Sequence, residues 1–333
     1  MEDQLLPRYE DGNRAFLQAM LANGSMTQKE VQAVIAAIWN ADNQDDRRFR
    51  ASEVSEDDVN GYLDVASQAA TLFDYEVRTS VHQITKKRIY ALVNTTSDPQ
   101  TQLATTFTAD ELSFIKRILD AMFDKFNSPR IELMALTMPE ARKFARPTRR
   151  ESQAVDDADG QEQTQTPATD KGLRHSEVED VMGCLLDGGW MELSREGYYS
   201  LSPRGLLELR PWLVDTYNDP DAEPNEWQRI KFCEACKDLL TMGLRCADPD
   251  CLFRLHDACE SSFWRTRRDQ TCPKCSKDWD GKHYVGERAR TMTDAYRKRK
   301  SRPSGGRPST QAPVQEDEEE DGDDAESEQS QRL

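Results

Sequence analysis

The sequence predicts an α+β fold: two helix-plus-hairpin modules in tandem, a segment organised by metal ions, and a disordered end. Three observations carry this. Apolar residues at helical spacing give way to short extended stretches twice, before about residue 106 and again before residue 217. Seven of the eight cysteines lie between Cys233 and Cys275. The closing run, Glu316 to Glu328, is almost wholly acidic and holds no large apolar residue, so it should be disordered.

Composition narrows the function classes. Hydrophobic residues make up 37% of the 333 and charged ones 32%, so the globular part is smaller than the chain. A net charge of -17 speaks against wrapping nucleic acid. No apolar run approaches the roughly 20 residues that cross a bilayer. The opening MEDQLLPRYEDG lacks the basic start and apolar core of an export signal, and reduced cysteines then point to the cytosol or nucleus.

The first module is read as residues 1–106. Phe16, Leu17, Met20 and Leu21 recur at helical spacing, and Gly24 ends that helix. Thr27 with Glu30 forms a capping box ahead of Val31, Val34, Ile35, Ile38 and Trp39. Ser55 with Asp58 opens a third helix carrying Val59, Tyr62, Leu63, Ala66, Ala69 and Ala70. Extended stretches at about Leu72 to Val81 and Arg88 to Val93 flank a polar turn at Thr85 to Lys87. Three helices closed by a hairpin describe a winged-helix module.

Residues 107–217 follow the same plan with an insertion. Thr108 and Glu111 cap a helix carrying Leu112, Ile115, Leu119, Met122, Phe123 and Phe126, and a shorter helical piece is expected at about Arg130 to Leu136. Residues 147–171 are polar and offer nothing to bury against the entropy of ordering, which makes a disordered loop. From Ser176, the stripe Val178, Val181, Met182, Leu185 and Leu186 makes a helix that stops at Gly188-Gly189. Cys184 is read as a buried thiol of that stripe. A hairpin at Trp190 to Leu193 and Tyr198 to Leu201 follows, and Ser202-Pro203 restarts a helix as cap and first helical residue. Asn218 to Asn225 is a linker.

The metal segment spans about 227–282 and reads Cys-x2-Cys-x9-Cys-x4-Cys-x4-His-x2-Cys-x12-Cys-x2-Cys. Zinc takes thiolate and imidazole ligands in a tetrahedron, and a closed structural site needs four, so eight donors make two ions. Paired Cys-x2-Cys with histidine is a metal pattern rather than a disulfide framework. In a cross-brace, Cys233, Cys236, His256 and Cys259 hold one zinc, and Cys246, Cys251, Cys272 and Cys275 hold the other. In a sequential arrangement the first four donors and the last four each hold one. Spacing alone does not choose between them, although the short gap from Cys251 to His256 favours interleaving. Neither site has an open position, so both ions are structural. Zinc is expected to dominate this domain's stability, and chelation to unfold it while sparing the helices before it. His82, His175 and His283 lack ligand-like neighbours and read as surface or turn residues. Residues 283–333 are read as a disordered tail, basic and then acidic, although Arg288 to Lys300 is compatible with a helix.

The ordered ligand pattern behind two winged-helix modules is rare, and the stretches NRAFLQAMLANGSMTQKEVQAVIAAI and GGWMELSREGYYSLSPRGLLELRPWL sharpen it. Together they resemble the non-structural maintenance of chromosomes element 1 family, the RING-like subunit of the SMC-five/SMC-six complex. The likeness covers about Arg14 to Trp279. It implies a RING-like zinc domain with ubiquitin ligase activity assisted by a MAGE-family partner, winged helices that dock that partner, and a kleisin subunit completing the subcomplex. It also implies work in DNA repair and recombination in the nucleus.

By the same resemblance, a RING domain presents an apolar patch to a ubiquitin-charged conjugating enzyme and gains rate by positioning alone. Phe263, Trp264, Pro273 and Ala235 are the candidates for that patch; core packing is the competing reading of the two aromatics. Glu234 and Ala235 stand where active RINGs carry a bulky aliphatic, and Ser276 follows the last ligand where many carry arginine. Activity should therefore be weak alone and partner-dependent. A purely architectural zinc domain is the alternative, and a PHD-type histone reader is disfavoured because Gln270 occupies its aromatic position. Direct DNA binding is disfavoured too. The third helices carry Glu56, Asp57, Asp58 and Asp64 in one module and Glu177, Glu179, Asp180 and Asp187 in the other, and phosphates repel such a face.

Overall fold

The computed structural model describes residues 10–43, 47–95, 106–147, 170–223, 226–267 and 269–300. The first module runs α1 (Asp11–Asn23), β1 (Ser25–Thr27), α2 (Gln28–Asp42), α3 (Glu56–Thr71), β2 (Tyr75–Val81) and β3 (Arg88–Asn94). Gly24 takes φ 67° at the end of α1, a left-handed turn that a side chain would resist. Thr27 caps α2, its Oγ1 accepting from the Glu30 amide at 3.4 Å while Glu30 Oε2 accepts from the Thr27 amide at 2.7 Å. Ser55 and Asp58 repeat the device on α3. Each cap stabilises its helix by about 1 kcal/mol. Phe16, Met20, Val31, Ile35, Val59 and Leu63 meet Tyr90 and Leu92 of β3 in a core of their own.

The second module repeats this order: α4 (Ala109–Asp120), β4 (Leu136–Thr137), α5 (Met138–Lys143), α6 (His175–Asp187), β5 (Met191–Leu193) and β6 (Tyr198–Leu201), followed by α7 (Pro203–Tyr217). The sheets match as well. In each, the short strand between the first two helices pairs antiparallel with the second hairpin strand, giving the orders β1-β3-β2 and β4-β6-β5. In each, the threonine ending the short strand caps the next helix: Thr27 with Glu30, and Thr137 with Glu140.

That repeat corrects one expectation. No helix forms at Arg130 to Leu136; the chain there is irregular and then extended, and the helix begins at Met138 with Pro139 in its first turn. The residues of this segment pack inward one after another, with Leu133, Met134, Ala135 and Leu136 all buried, which no single helical face permits. A second correction concerns Cys184, which is exposed. It lies six residues beyond Val178, so the helix turns it away from the stripe of Val178, Val181, Met182 and Leu185. In the first module, Leu72 and Phe73 stand exposed at the α3–β2 turn instead of opening the strand. The expected disordered loop falls largely on residues 148–169, outside the described residues.

The metal segment does not stand apart from what precedes it. It comprises β7 (Lys231–Phe232), β8 (Leu239–Leu240), β9 (Gly243–Arg245), β10 (Arg254–Leu255), α8 (Asp257–Arg265) and β11 (Tyr284–Val285), with a sheet ordered β10-β9-β11. The boundary drawn at Lys282 would therefore remove a strand. Nor is the basic stretch beyond it a disordered tail: α9 (Arg288–Thr291) and α10 (Asp294–Lys300) follow, and Tyr296 and Lys300 of α10 bond Glu196 in the β5–β6 turn. Residues 301–333 lie outside the described residues. Phe123, Val181 and Leu213 of the second module share one continuous core with Leu240, Phe253, Leu255 and Val285.

Candidate metal centre

Two turns of the same make begin the site. After Cys233 and Cys236 the chain takes φ 61° at Lys237; after Cys272 and Cys275 it takes φ 60° at Ser276. The Lys237 amide donates to the Cys233 carbonyl at 2.8 Å, and the Ser276 amide to the Cys272 carbonyl at the same distance. Each first cysteine amide donates across the turn, Cys233 to Asp238 and Cys272 to Lys277. Such a turn points both sulfurs the same way.

The donors gather in two groups of four, Cys233, Cys236, His256 and Cys259 in one and Cys246, Cys251, Cys272 and Cys275 in the other, with all ligand atoms of a group within 4.8 Å of one another. The groups interleave along the chain. In the first, His256 Nδ1 lies 3.3 Å from Cys236 Sγ and 4.0 Å from Cys259 Sγ. In the second, Cys246 and Cys275 Sγ are 3.4 Å apart, and Cys251 and Cys272 Sγ 3.5 Å. Sulfurs on a tetrahedral zinc, at about 2.3 Å from the metal, stand roughly 3.8 Å from each other, so both groups are the right size.

The protonation chemistry fits as well. His256 Nε2 lies 3.1 Å from the Leu239 carbonyl, which can only accept, so Nε2 carries the proton and Nδ1 presents its lone pair to the sulfurs. Burial pushes the Cys246 thiol up to about 11 and Cys259 up to about 12, with neighbouring cysteines adding to the rise. Burial also opposes ionisation of Cys233, while the backbone amides of Ala235, Cys236 and His256 work the other way. A pocket whose thiols hinder one another's ionisation needs a cation before all can lose their protons, and metal binding supplies it. The donor sets and spacing fit a RING-like domain holding two structural zinc ions.

Around the second group lies a feature that local sequence patterns did not disclose. Glu132, fully buried, accepts from Arg254 Nε at 2.8 Å and Arg254 Nη2 at 2.6 Å. Lys231 Nζ is 3.3 Å and Arg245 Nη1 3.6 Å from the same carboxylate. Burial works to raise the Glu132 carboxyl, but Arg254, Lys231 and Arg245 hold it down at about 2. Burial lowers Lys231 to about 8, and its ammonium also lies 4.0 Å from the centroid of the Trp227 ring. Three cations face one carboxylate, leaving two positive charges in surplus. A zinc ion held by four thiolates carries two negative ones. The guanidinium groups also hold the ligand loop directly, Arg254 Nη1 donating to the Cys251 carbonyl at 2.6 Å and Arg245 Nη2 to the Pro249 carbonyl at 3.0 Å.

The candidate docking residues divide. Ala235 and Pro273 are exposed on the two cysteine turns. Trp264 is only 7% exposed, packed against Phe253 and Trp279 with ring centroids 6.1 and 5.5 Å away, and is a core residue rather than a contact. Phe263 is half-buried between Phe253 and the Arg267 guanidinium, which lies 4.3 Å over its ring. Between the turns, Glu234 binds both Lys237 and Lys274. His82 occupies the β2–β3 turn, where its Nδ1 accepts from the Ile84 and Thr85 amides.

Comparison with known proteins places this architecture. A family model described as the Nse1 non-SMC component of the SMC5-6 complex matches residues 13–209, and one for a RING-like domain matches residues 233–275, from the first donor to the last. The human non-structural maintenance of chromosomes element 1 homolog is 25% identical over 269 residues, spanning 81% of this chain and 84% of that one. The Saccharomyces cerevisiae element 1 is 24% identical over 209 residues, spanning 57% and 55%. A chain of a solved Nse1-Nse3-Nse4 complex superposes with a TM-score of 0.60 at 19% identity, covering 83% of this chain and 99% of that one. The chain belongs to the family of the Nse1 non-SMC component of the SMC5-6 complex.

Proposed function

We propose that this chain is a RING-type ubiquitin-protein ligase subunit of an SMC5-6 complex, acting in DNA repair and recombination in the nucleus. The observation that carries the reading is the pair of interleaved four-donor groups within the RING-like match, with Ala235 and Pro273 left open on the two cysteine turns. Cys233, Cys236, His256 and Cys259 would hold one zinc, and Cys246, Cys251, Cys272 and Cys275 the other. Bound zinc supplies cross-links and no open coordination position. The protein residues then act by placement. The two stiffened turns present Ala235, Pro273 and the accessible edge of Phe263 to a ubiquitin-charged conjugating enzyme, and the gain is the effective concentration of the thioester near an acceptor lysine.

The two modules are read as winged helices because both run helix, short strand, two helices, hairpin, with the short strand completing a three-stranded sheet. Their third helices, α3 and α6, are acidic and suit a protein partner better than DNA. The MAGE-family and kleisin partners implied by the resemblance fit the company named for the solved relative, Nse3 and Nse4.

A second reading, a docking subunit without ligase activity, is favoured by two specific observations. Trp264 is unavailable, and Glu234, tied to Lys237 and Lys274, puts charge where an apolar contact is wanted. Reconstituted ubiquitination with and without the MAGE-family partner separates the two. Ubiquitin chains that require the partner and disappear on Pro273→Glu support the ligase; no chains under either condition leave the architectural subunit.

A further inference from the structure

Gln83 lies in the hairpin turn of the first module, yet it is 9% exposed because it is inserted into the metal domain. Its Oε1 accepts from the Thr241 amide at 3.0 Å and the Met242 amide at 2.8 Å, capping the turn between β8 and β9. Its Nε2 donates to the Leu239 carbonyl at 3.2 Å. That carbonyl is also the one that His256 Nε2 donates to, at 3.1 Å. One backbone oxygen, with two lone pairs, thus joins a residue of the first module to a zinc ligand 173 positions later in the chain.

The turn that presents Gln83 is itself stiff. His82 Nδ1 accepts from the Ile84 and Thr85 amides, the His82 amide donates to the Lys87 carbonyl at 2.9 Å, and Lys86 takes φ 60°. His82 Nε2 reaches Glu192 of the second module at 3.3 Å. The hairpin also walls a groove of about 370 Å³ whose far side is Cys236, His256 and Cys259. The Leu239 bond and this groove lead to the histidine-containing group, and neither includes a donor of the all-cysteine group.

We infer that Gln83 is a positioning residue for the zinc site that contains His256: the first module's hairpin fixes Leu239, Leu239 fixes the tautomer and tilt of His256, and the site's hold on its metal depends on a module remote in sequence. Outer-shell hydrogen bonds of this kind alter metal affinity by about 10–100-fold. The inference rests on the two-zinc reading and not on ubiquitin transfer.

The test uses the full chain loaded with zinc or with cobalt(II), whose thiolate charge-transfer bands distinguish three-sulfur from four-sulfur coordination. Metal loss to a chelator is followed in the parent, Gln83→Ala and Gln83→Glu. The glutamate can still accept from the Thr241 and Met242 amides but has no donor for Leu239. Both variants should lose metal from the three-sulfur site about 10-fold faster, with the four-sulfur site unchanged. Equal acceleration at both sites would reduce Gln83 to a general packing residue and overturn the inference. So would unchanged rates, or full recovery in Gln83→Glu, which would place its effect in the turn amides instead of the Leu239 carbonyl.

Discussion

Replacing Glu132 by glutamine keeps the shape and removes the carboxylate that Arg254, Lys231 and Arg245 share. The carboxyl is lowered from its ordinary 4.5 to about 2, which at about 1.4 kcal/mol per tenfold change is worth about 3 kcal/mol. Breaking a buried ion pair by removing one partner costs about 3–5 kcal/mol, so the two routes agree. The sign follows from linkage. A carboxyl lowered by folding contributes fully above the unfolded value of 4.5, and the contribution disappears as pH falls toward 2. Lys231 runs the other way: its charged form, held down to about 8 by burial, is a penalty below pH 8 that is relieved as pH rises toward 10.5. Lys231→Met should therefore cost little, and Glu132→Gln/Lys231→Met should lose less than Glu132→Gln alone. Denaturant unfolding of the zinc-loaded chain at about pH 7, followed by tryptophan fluorescence, measures all three. A loss under about 1 kcal/mol for Glu132→Gln, or a double variant no better than the single, would refute the electrostatic account.

Chelating both zinc ions should release amide-exchange protection not only across 226–285 but also in 126–137 and α7, while α1 to α3 stay protected; confinement of the loss to the metal segment would contradict the shared core. Trp264→Ala should destabilise by about 3–5 kcal/mol in thermal or denaturant unfolding, since the side chain fills the cluster with Phe253 and Trp279. Ala235→Glu should leave stability within about 0.5 kcal/mol of the parent, and conjugating-enzyme binding in a pull-down should fall. A Cβ on Gly243 would stand 2.3 Å from the Leu255 carbonyl oxygen, so Gly243→Ala should cost about 1–3 kcal/mol by spreading β9 from β10, read as a lower melting temperature.

Much of the molecule is legible one stretch at a time. Thr27, Ser55 and Thr108 announce their helices because a cap and its partner lie three residues apart. The eight donors read as two ions because zinc chemistry fixes both residue type and number. What escapes is of two kinds. The strands β1 and β4, of three and two residues, are too short for alternation to register, and missing β4 put a helix at Arg130 to Leu136 although the Thr137–Glu140 box marks its true start. The other kind joins distant positions. Glu132 meets Arg254 across 122 residues, and Gln83 meets Thr241 across 158, so neither leaves a local pattern. A lone glutamate inside the apolar run Ile131 to Leu136, and a lone arginine between Phe253 and Leu255, were the available hints.

The alternation of donors between the two groups bears on how the chain acquires its metal during synthesis. Cys233, Cys236, Cys246 and Cys251 leave the ribosome before His256, and those four thiols suffice to trap an ion in the wrong company. Reaching the final arrangement then requires ligand exchange once Cys272 and Cys275 emerge. Abundant zinc during translation would thus favour a misthreaded product from an intact gene, and the remedy would be slow thiol swapping rather than refolding.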